Sequence, residues 1–402
     1  MPDVFVGRQP IYDRRLEVVA YELLFRSSES NRAGVVDGDQ ATSQVLHNTF
    51  VEIGLDTIVG RKLAFINFTR DFILQDCTVV FPADRVVIEV LEDIPVDAAL
   101  LTAIRTLSIQ GYTIALDDFV LRDHLRPLLE IADIVKVDIL ALDRLALQES
   151  VAQLRQYNVQ LLAEKVETRD DFDFCRDLGF DYFQGYFLCR PDIVKGQRTP
   201  SNRLVTLRLL AKLQDPRTEF DELEEIISRD VSLSYKLLRL INAAIYGLPK
   251  KVESIRQALL LLGSKFITSW VSLILLTGVS DKPQELMVTA LVRGKMCELL
   301  AQAMQPANKE AFFTIGLFSV LDAMLDTPMP EVLKPLPLAE ETSRALLYHE
   351  GIGGQTLRCV LAYERGSWDE VMCPGLDRRC IKEAYLQAIT WAAQVSRELM
   401  AA

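Results

Sequence analysis

Histidine is nearly missing from this chain: 402 residues contain three, His47, His124 and His349. They lie far apart in sequence, and an imidazole metal site needs several ligands. Each is therefore expected to be a surface or packing residue. Basic charge is also short, with 44 Lys and Arg against 56 Asp and Glu, a net charge of −12. This excludes the basic footprint of a protein that coats a nucleic-acid polymer. A small phosphate ligand stays open, because a bound cation can supply local positive charge. The seven cysteines, Cys77, Cys175, Cys189, Cys297, Cys359, Cys373 and Cys380, are odd in number and include no CxxC pair. They read as reduced thiols of a cytoplasmic protein, with neither a disulfide framework nor a zinc site. The opening MPDVFVGRQPIYDRR lacks the charged-then-apolar order of a secretory signal. No internal repeat or low-complexity run is present.

Long apolar runs are rare too. Ala258 to Val279, ALLLLGSKFITSWVSLILLTGV, is long enough to cross a bilayer. Lys265 and the Gly263-Ser264 break interrupt it, so two buried helices are expected and no membrane span.

Half of the residues are hydrophobic, enough for two domains with real cores. The first half alternates short β-rich runs with amphipathic stretches. Strands are expected at Val4–Val6, Val18–Phe25, Leu63–Phe68, Val86–Val90, Thr113–Leu116, Ile134–Val137, Gln160–Ala163 and Tyr182–Phe183. Helices are expected at Thr42–Ile58, Asp97–Ile109, Leu142–Tyr157 and Thr168–Leu178. This alternation implies a parallel sheet with helices outside, closed as a compact TIM-type (β/α) barrel. Near Pro191 the composition changes, and PDIVKGQRTPSNR reads as a linker. Beyond it every strong period is helical. Among the segments are Leu204–Leu213, Ser232–Ala244, Gln284–Met304, Phe312–Leu325 and Asp377–Leu399. The expected organisation is α/β followed by all-α, with domains at 1–195 and 196–402.

Polar residues recur where the apolar strands of the first half end. AYELLFR carries Glu22 and Arg26, and FINF carries Asn67. VVIEVLE holds Glu89 and Glu92, and TIALDD ends in Asp117 and Asp118. IVKVD holds Lys136 and Asp138, LLAEKVE holds Glu164 and Glu167, and DYFQGYF holds Gln184. In a parallel barrel, strand C-termini open at one face, so these groups would converge on one mouth. A single strand-end carboxylate is usually a helix cap or a solvated loop residue. So many together repel unless protonated or bound to cations. Oxygen and amide donors suit Mg²⁺ or Mn²⁺ better than zinc, and the Asp117-Asp118 pair can bridge two metals and clamp a phosphodiester.

These motifs, in this order, resemble the EAL domains, TIM-barrel phosphodiesterases that linearise cyclic di-GMP. RQPIYD resembles that family's QPI segment, and YELLFR its EAL-x-R signature, over roughly residues 3–191. The resemblance implies that Glu22, Asn67, Glu89, Asp117, Asp118 and Glu167 surround metal. It implies that Lys136 and Glu164 act on the attacking water and that Glu92 anchors the loop after Asp118. Gln9, Arg26 and Gln184 would face the nucleotide. Two features depart from the family pattern. DDFVLRDH replaces the glycine-containing DDFGTG loop, whose backbone shapes Val120, Leu121 and Arg122 would resist. EKVE puts Lys165 where glycine is usual; its side chain would either crowd the mouth or point to solvent.

The second half resembles the HDOD domains, all-α relatives of HD metal phosphohydrolases, through RDVSLSYKLLRLINAAIYGLPKKVESIRQALLLLG and GLFSVLDAML. Ser319 and Val320 stand where an HD pair would be, and Arg293 and Gly294 where an earlier histidine is expected. The resemblance thus implies a metal-free interaction domain with a protein partner. Three functions fit: hydrolysis of cyclic di-GMP, its reception without turnover, and scaffolding. A homodimer through the barrels is a further expectation.

Overall fold

Eight strands close a barrel in chain order: β1 Val4–Asp13, β2 Val18–Ser27, β3 Leu63–Phe68, β4 Val86–Val90, β5 Thr113–Leu116, β6 Ile134–Asp138, β7 Gln160–Glu164 and β8 Tyr182–Gln184. The computed structural model describes residues 4–27, 54–74, 81–92, 94–186, 209–215, 217–228, 231–242, 252–277, 283–306 and 311–400. Cys77, Cys189, His47 and the expected linker fall outside them, as does most of the helix expected at Thr42–Ile58. The last part of that segment overlaps a short helix at Leu55–Val59.

All eight expected strands are present, and their order is that of a (β/α) barrel, with one correction. β1 runs antiparallel to both neighbours, β2 and β8, while every other pairing is parallel. Connection length is the reason. The link between β1 and β2 is a tight turn closed by Asp13, which accepts from the backbone N–H groups of Arg15 and Glu17. A parallel crossover needs a dozen residues or more. β1 is also longer than expected and carries Pro10. β8 pairs only with Ile11–Asp13, so the proline lies beyond the reach of that edge.

Strand residues alternate between two environments. One set, including Ile66, Phe68, Ile88, Ile114, Val135, Leu161 and Phe183, packs beneath the outer helices. The other set, Ile11, Ala20, Phe65, Val87, Ala115, Ile134 and Leu162, forms a separate cluster inside the barrel, with Tyr182 against it. The outer helices begin at side-chain caps. Asp97 accepts from Leu100 N, Asp143 accepts from Ala146 N, and Thr168 forms a capping box with Asp171. Each cap satisfies an otherwise orphaned helix N–H, which fixes where the chain turns back from strand to helix.

The chain divides into two compact units, Met1–Leu188 with Glu364–Gly366, and Cys189–Tyr363 with Ser367–Ala402. Every regular element among the described residues of the second is a helix. The apolar run at Ala258 forms two helices, Ile255–Leu262 and Ser264–Thr277, separated by Gly263 at φ 83°. Among the described residues no helix is long and apolar enough to cross a membrane. The helix expected over Phe312–Leu325 is broken into Ala311–Phe318 and Leu321–Leu325. At the break, Ser319 Oγ donates to Gly316 O at 2.7 Å, drawing that carbonyl away from helical pairing.

Candidate active site

The barrel mouth follows from strand periodicity. Two residues beyond each interior apolar position comes a polar one: Ala20 to Glu22, Phe65 to Asn67, Val87 to Glu89, Ala115 to Asp117, Ile134 to Lys136, Leu162 to Glu164, and Tyr182 to Gln184. Because β1 runs the other way, Ile11 is followed by Gln9 in the reverse direction. All eight strands thus direct a polar side chain inward, next to the apolar layer.

Lys136 is the centre of this ring. Its side chain is 1% exposed. Its Nζ lies 2.6 Å from Glu89 Oε1, 2.6 Å from Asp117 Oδ1, 2.9 Å from Glu164 Oε1 and 3.4 Å from Glu22 Oε2. Gln184 Nε2 donates to Glu22 Oε2 at 2.5 Å and to Gln9 Oε1 at 3.1 Å, while Asn67 Nδ2 donates to Glu22 Oε1 at 3.3 Å. Seven of the expected site residues are therefore joined to Lys136 in one connected network. One ammonium cannot neutralise four carboxylates. Burial pushes Glu89 well above the usual carboxylate range, and the Glu22 charge adds to it. Burial likewise raises Glu164, to about 8, against the pull of Lys136. For Lys136, burial favours the neutral amine, but the four carboxylates outweigh it and hold the ammonium well above its usual pKa.

This ring is short of donors. Among the described residues, Asn67 Oδ1, both Glu89 oxygens, Asp118 Oδ1 and Gln184 Oε1 are buried with no hydrogen bond. Lys136 gives Glu89 Oε1 an ionic partner at 2.6 Å, which leaves Asn67 Oδ1, Glu89 Oε2 and Gln184 Oε1 with neither an ion pair nor a hydrogen bond among the described residues. Buried oxygens without donors are costly, and an all-oxygen set of this kind fits a hard divalent cation. As the side chains stand they surround Lys136, and no group of three or more His, Cys, Asp or Glu among the described residues is spaced to hold a metal.

The other expected residues are placed as follows. Asp118 is at the mouth with a left-handed backbone, φ 40°. Glu167 is half-buried in the loop after β7, and Glu92 is exposed beyond β4. Arg26 is in β2 opposite Phe5, and its side chain lies outside the described residues. His124 is exposed on a short 3₁₀ turn, and His349 is exposed at a left-handed helix C-cap. Lys165 divides between its two expected courses. Its side chain is half exposed to solvent, while its Nζ lies 2.5 Å from Asp138 and 3.7 Å from Asp118. Its backbone is left-handed at φ 57°, a shape glycine adopts without cost. Gly185 went unnoticed in the sequence. A Cβ there would lie 2.1 Å from Val166 O, so the β8 end approaches the β7 loop as only glycine permits. A glycine directly after a polar strand end was the available signal.

In the helical unit, Arg293 is buried and its Nη1 donates to Ser319 Oγ at 3.2 Å. Two positions where an HD site would place ligands are thus joined by a guanidinium, a group that repels a metal cation.

The family comparisons agree with this division. The EAL domain family matches residues 65–191 and the HDOD domain family matches residues 200–337. The EAL match begins at β3, although β1 and β2 contribute Gln9 and Glu22 to the same ring. The uncharacterised protein YuxH of Bacillus subtilis is 36% identical over 399 residues, covering 96% of this chain and 98% of that one. The cyclic di-GMP phosphodiesterase CdgJ of Vibrio cholerae is 34% identical over 406 residues, covering 99% and 94%. Among solved structures, the EAL-domain protein YkuI of Bacillus subtilis matches with TM-score 0.40 and 18% identity, over 57% of this chain and 72% of that one. With this ring of barrel side chains and full-length relatives above 30% identity, the chain belongs to the family of proteins that join an EAL domain to a C-terminal HDOD domain.

Proposed function

We propose that the barrel hydrolyses cyclic di-GMP to the linear dinucleotide. The ring of inward polar side chains carries this reading, above all its buried oxygens without donors. A full-length relative named as a cyclic di-GMP phosphodiesterase supports it. Mg²⁺ or Mn²⁺ would be held by Glu22, Asn67, Glu89 and Asp117, with Asp118 and Glu167 beside them. Bound there, such a cation supplies charge neutralisation for the phosphodiester and a water of lowered pKa.

The chain's own groups do the rest. Lys136 and Glu164, 2.9 Å apart, can hold the attacking water between them, and the ionised fraction of Glu164, whose pKa of about 8 suits a general base, takes its proton. The Lys136 ammonium also offsets charge that develops on the phosphoryl oxygens. Gln184 and Gln9, hydrogen-bonded to each other, border the same ring and offer amide contacts to the nucleotide. The apolar layer beneath excludes water from the barrel interior. The HDOD domain serves as a regulatory or output module that meets a protein partner.

The test is chromatographic detection of linear dinucleotide from purified full-length protein with Mg²⁺ or Mn²⁺. Turnover is expected, with a loss of at least about a hundredfold in Glu22→Ala and Lys136→Met. Absence of product at every metal concentration, or turnover unchanged in both variants, overturns the proposal.

A further inference from the structure

The helical unit contains a concave site remote in sequence from the barrel residues. It has a volume of about 540 Å³, within the range of ligand pockets. Phe266, Trp270, Phe313 and Trp391 line it, together with Lys295 and Glu298. The rings form one cluster: Trp270 and Trp391 centroids are 5.7 Å apart, Phe313 and Trp391 6.0 Å, and Phe266 and Trp270 6.0 Å. Trp270 is buried, whereas Phe266, Phe313 and Trp391 are only half-buried. Large rings left partly open around a cavity favour a flat apolar face that would cover them.

The polar pair gives that face an orientation. Lys295 Nζ lies 2.8 Å from Glu298 Oε2 and 5.3 Å from the Trp391 ring centroid. Neither residue has any other hydrogen bond among the described residues. Glu298 therefore keeps an oxygen, and Lys295 keeps N–H groups, for a ligand. An acceptor beside a donor, next to stacking rings, is complementary to a nucleobase edge. Guanine matches best. Its O6 accepts from the ammonium, and its N1–H and N2–H can both donate to one carboxylate. Adenine and cytosine each offer the carboxylate only one exocyclic amino group. Among the described residues, Lys295 is the one cation lining the cavity and Glu298 stands beside it, so the pair suits a base edge better than a doubly charged phosphate.

We propose that the cavity framed by Phe266, Trp270, Phe313 and Trp391, with Lys295 and Glu298 at its polar edge, binds the guanine base of a nucleotide. The helical domain would then have a nucleotide site of its own, whether or not the barrel turns over.

The chain has three tryptophans, Trp270, Trp368 and Trp391. All lie in the helical unit, and two line the cavity. Trp368 follows the Glu364–Gly366 segment that belongs with the barrel unit, so the cavity is read as the part of the intrinsic quenching that Glu298→Gln and Trp391→Phe change, while hydrolysis is read from product, and the two proposals can fail separately. Titration with guanosine 5′-monophosphate is expected to quench saturably, with adenosine and cytidine monophosphates at least about tenfold weaker. Glu298→Gln is expected to weaken the guanine nucleotide about tenfold and to erase the base preference. Trp391→Phe retains binding and Trp391→Ala loses it. Glu298 is on a helix surface, so Glu298→Gln tests the idea even if Trp391→Ala fails to fold, as circular dichroism would show. Saturable quenching by none of the nucleotides overturns the proposal. So does equal quenching by all three with no effect of Glu298→Gln. An apolar dye that fills the cavity while nucleotides do not also overturns it, and would assign the rings to an apolar anchor of a protein partner.

Discussion

Replacing Lys136 by methionine tests the electrostatic account of the barrel mouth directly. Methionine keeps roughly the length of the side chain and removes the charge. In the protein the ammonium lies within 3.4 Å of four carboxylates at a site that is 1% exposed. Removing one partner from a buried ionic cluster costs about 3–5 kcal/mol. That is a large part of the roughly 5–15 kcal/mol by which domains are stable. For a unit of this size it corresponds to a fall of about 6–20 °C in the melting temperature. The measurement is calorimetry of wild type and Lys136→Met in chelator, following the barrel transition, then with increasing Mn²⁺. A divalent cation at 100 times its dissociation constant returns about 2.7 kcal/mol. The variant should recover much of its loss, and should gain more from metal than the wild type, whose ammonium already neutralises part of the cluster. A variant that melts within about 2 °C of wild type in chelator refutes the reasoning. So does a loss that metal leaves untouched.

Three further outcomes are expected. Glu164, raised to about 8 chiefly by burial, binds its proton more tightly folded than unfolded. Without metal, stability should therefore fall as pH rises from the ordinary glutamate range near 4.3 through about 8; thermal melts across that range check this, and saturating Mn²⁺ should flatten the slope. Gly316→Ala would place a Cβ 2.3 Å from Arg293 O and 2.6 Å from Gly294 N, both backbone atoms; separating those two helices should cost about 1–3 kcal/mol in the helical transition. At Lys165, φ 57°, the Lys165→Gly variant should unfold within about 1 kcal/mol of wild type in urea, because relief of the backbone offsets a half-exposed ion pair. Lys165→Val should unfold earlier, by about 1–2 kcal/mol.

Much of the barrel could be read in advance because strand periodicity and helix caps are local. The spacing from Ala20 to Glu22, and from Phe65 to Asn67, is already visible as an apolar residue followed two places later by a polar one. Sequence order alone brought Glu22, Asn67, Glu89, Asp117, Lys136 and Glu164 to one mouth. The reversal of β1 was missed because Gly7 and Pro10 interrupt its apolar pattern, so only Val4–Val6 stood out. The five-residue interval from Asp13 to Glu17 held the correction, being too short for any crossover. The position of Lys136 among the carboxylates depends on four strands at once, and no single segment encodes it. The broken helix at Ser319 depends on one side-chain hydrogen bond to Gly316 O, which competes with a periodic signal that runs straight through. The course of Lys165 toward Asp138 required knowing that β6 and β7 are neighbours in register.

The pairing of β1 with β8 carries a consequence for how the protein is made. Gln9 and Gln184 touch across 175 positions of sequence. On the ribosome the β1–β2 hairpin emerges early and must wait with one edge unpaired until Tyr182–Gln184 is synthesised. Closing so long a loop is entropically slow compared with local pairing. The polar ring, with contributions from the first and last strands, therefore comes into being only at the moment of closure. A nascent chain stalled before β8 would present a sticky hairpin and an incomplete mouth, and the finished ring serves as the chemical mark that synthesis of the barrel has run to its end.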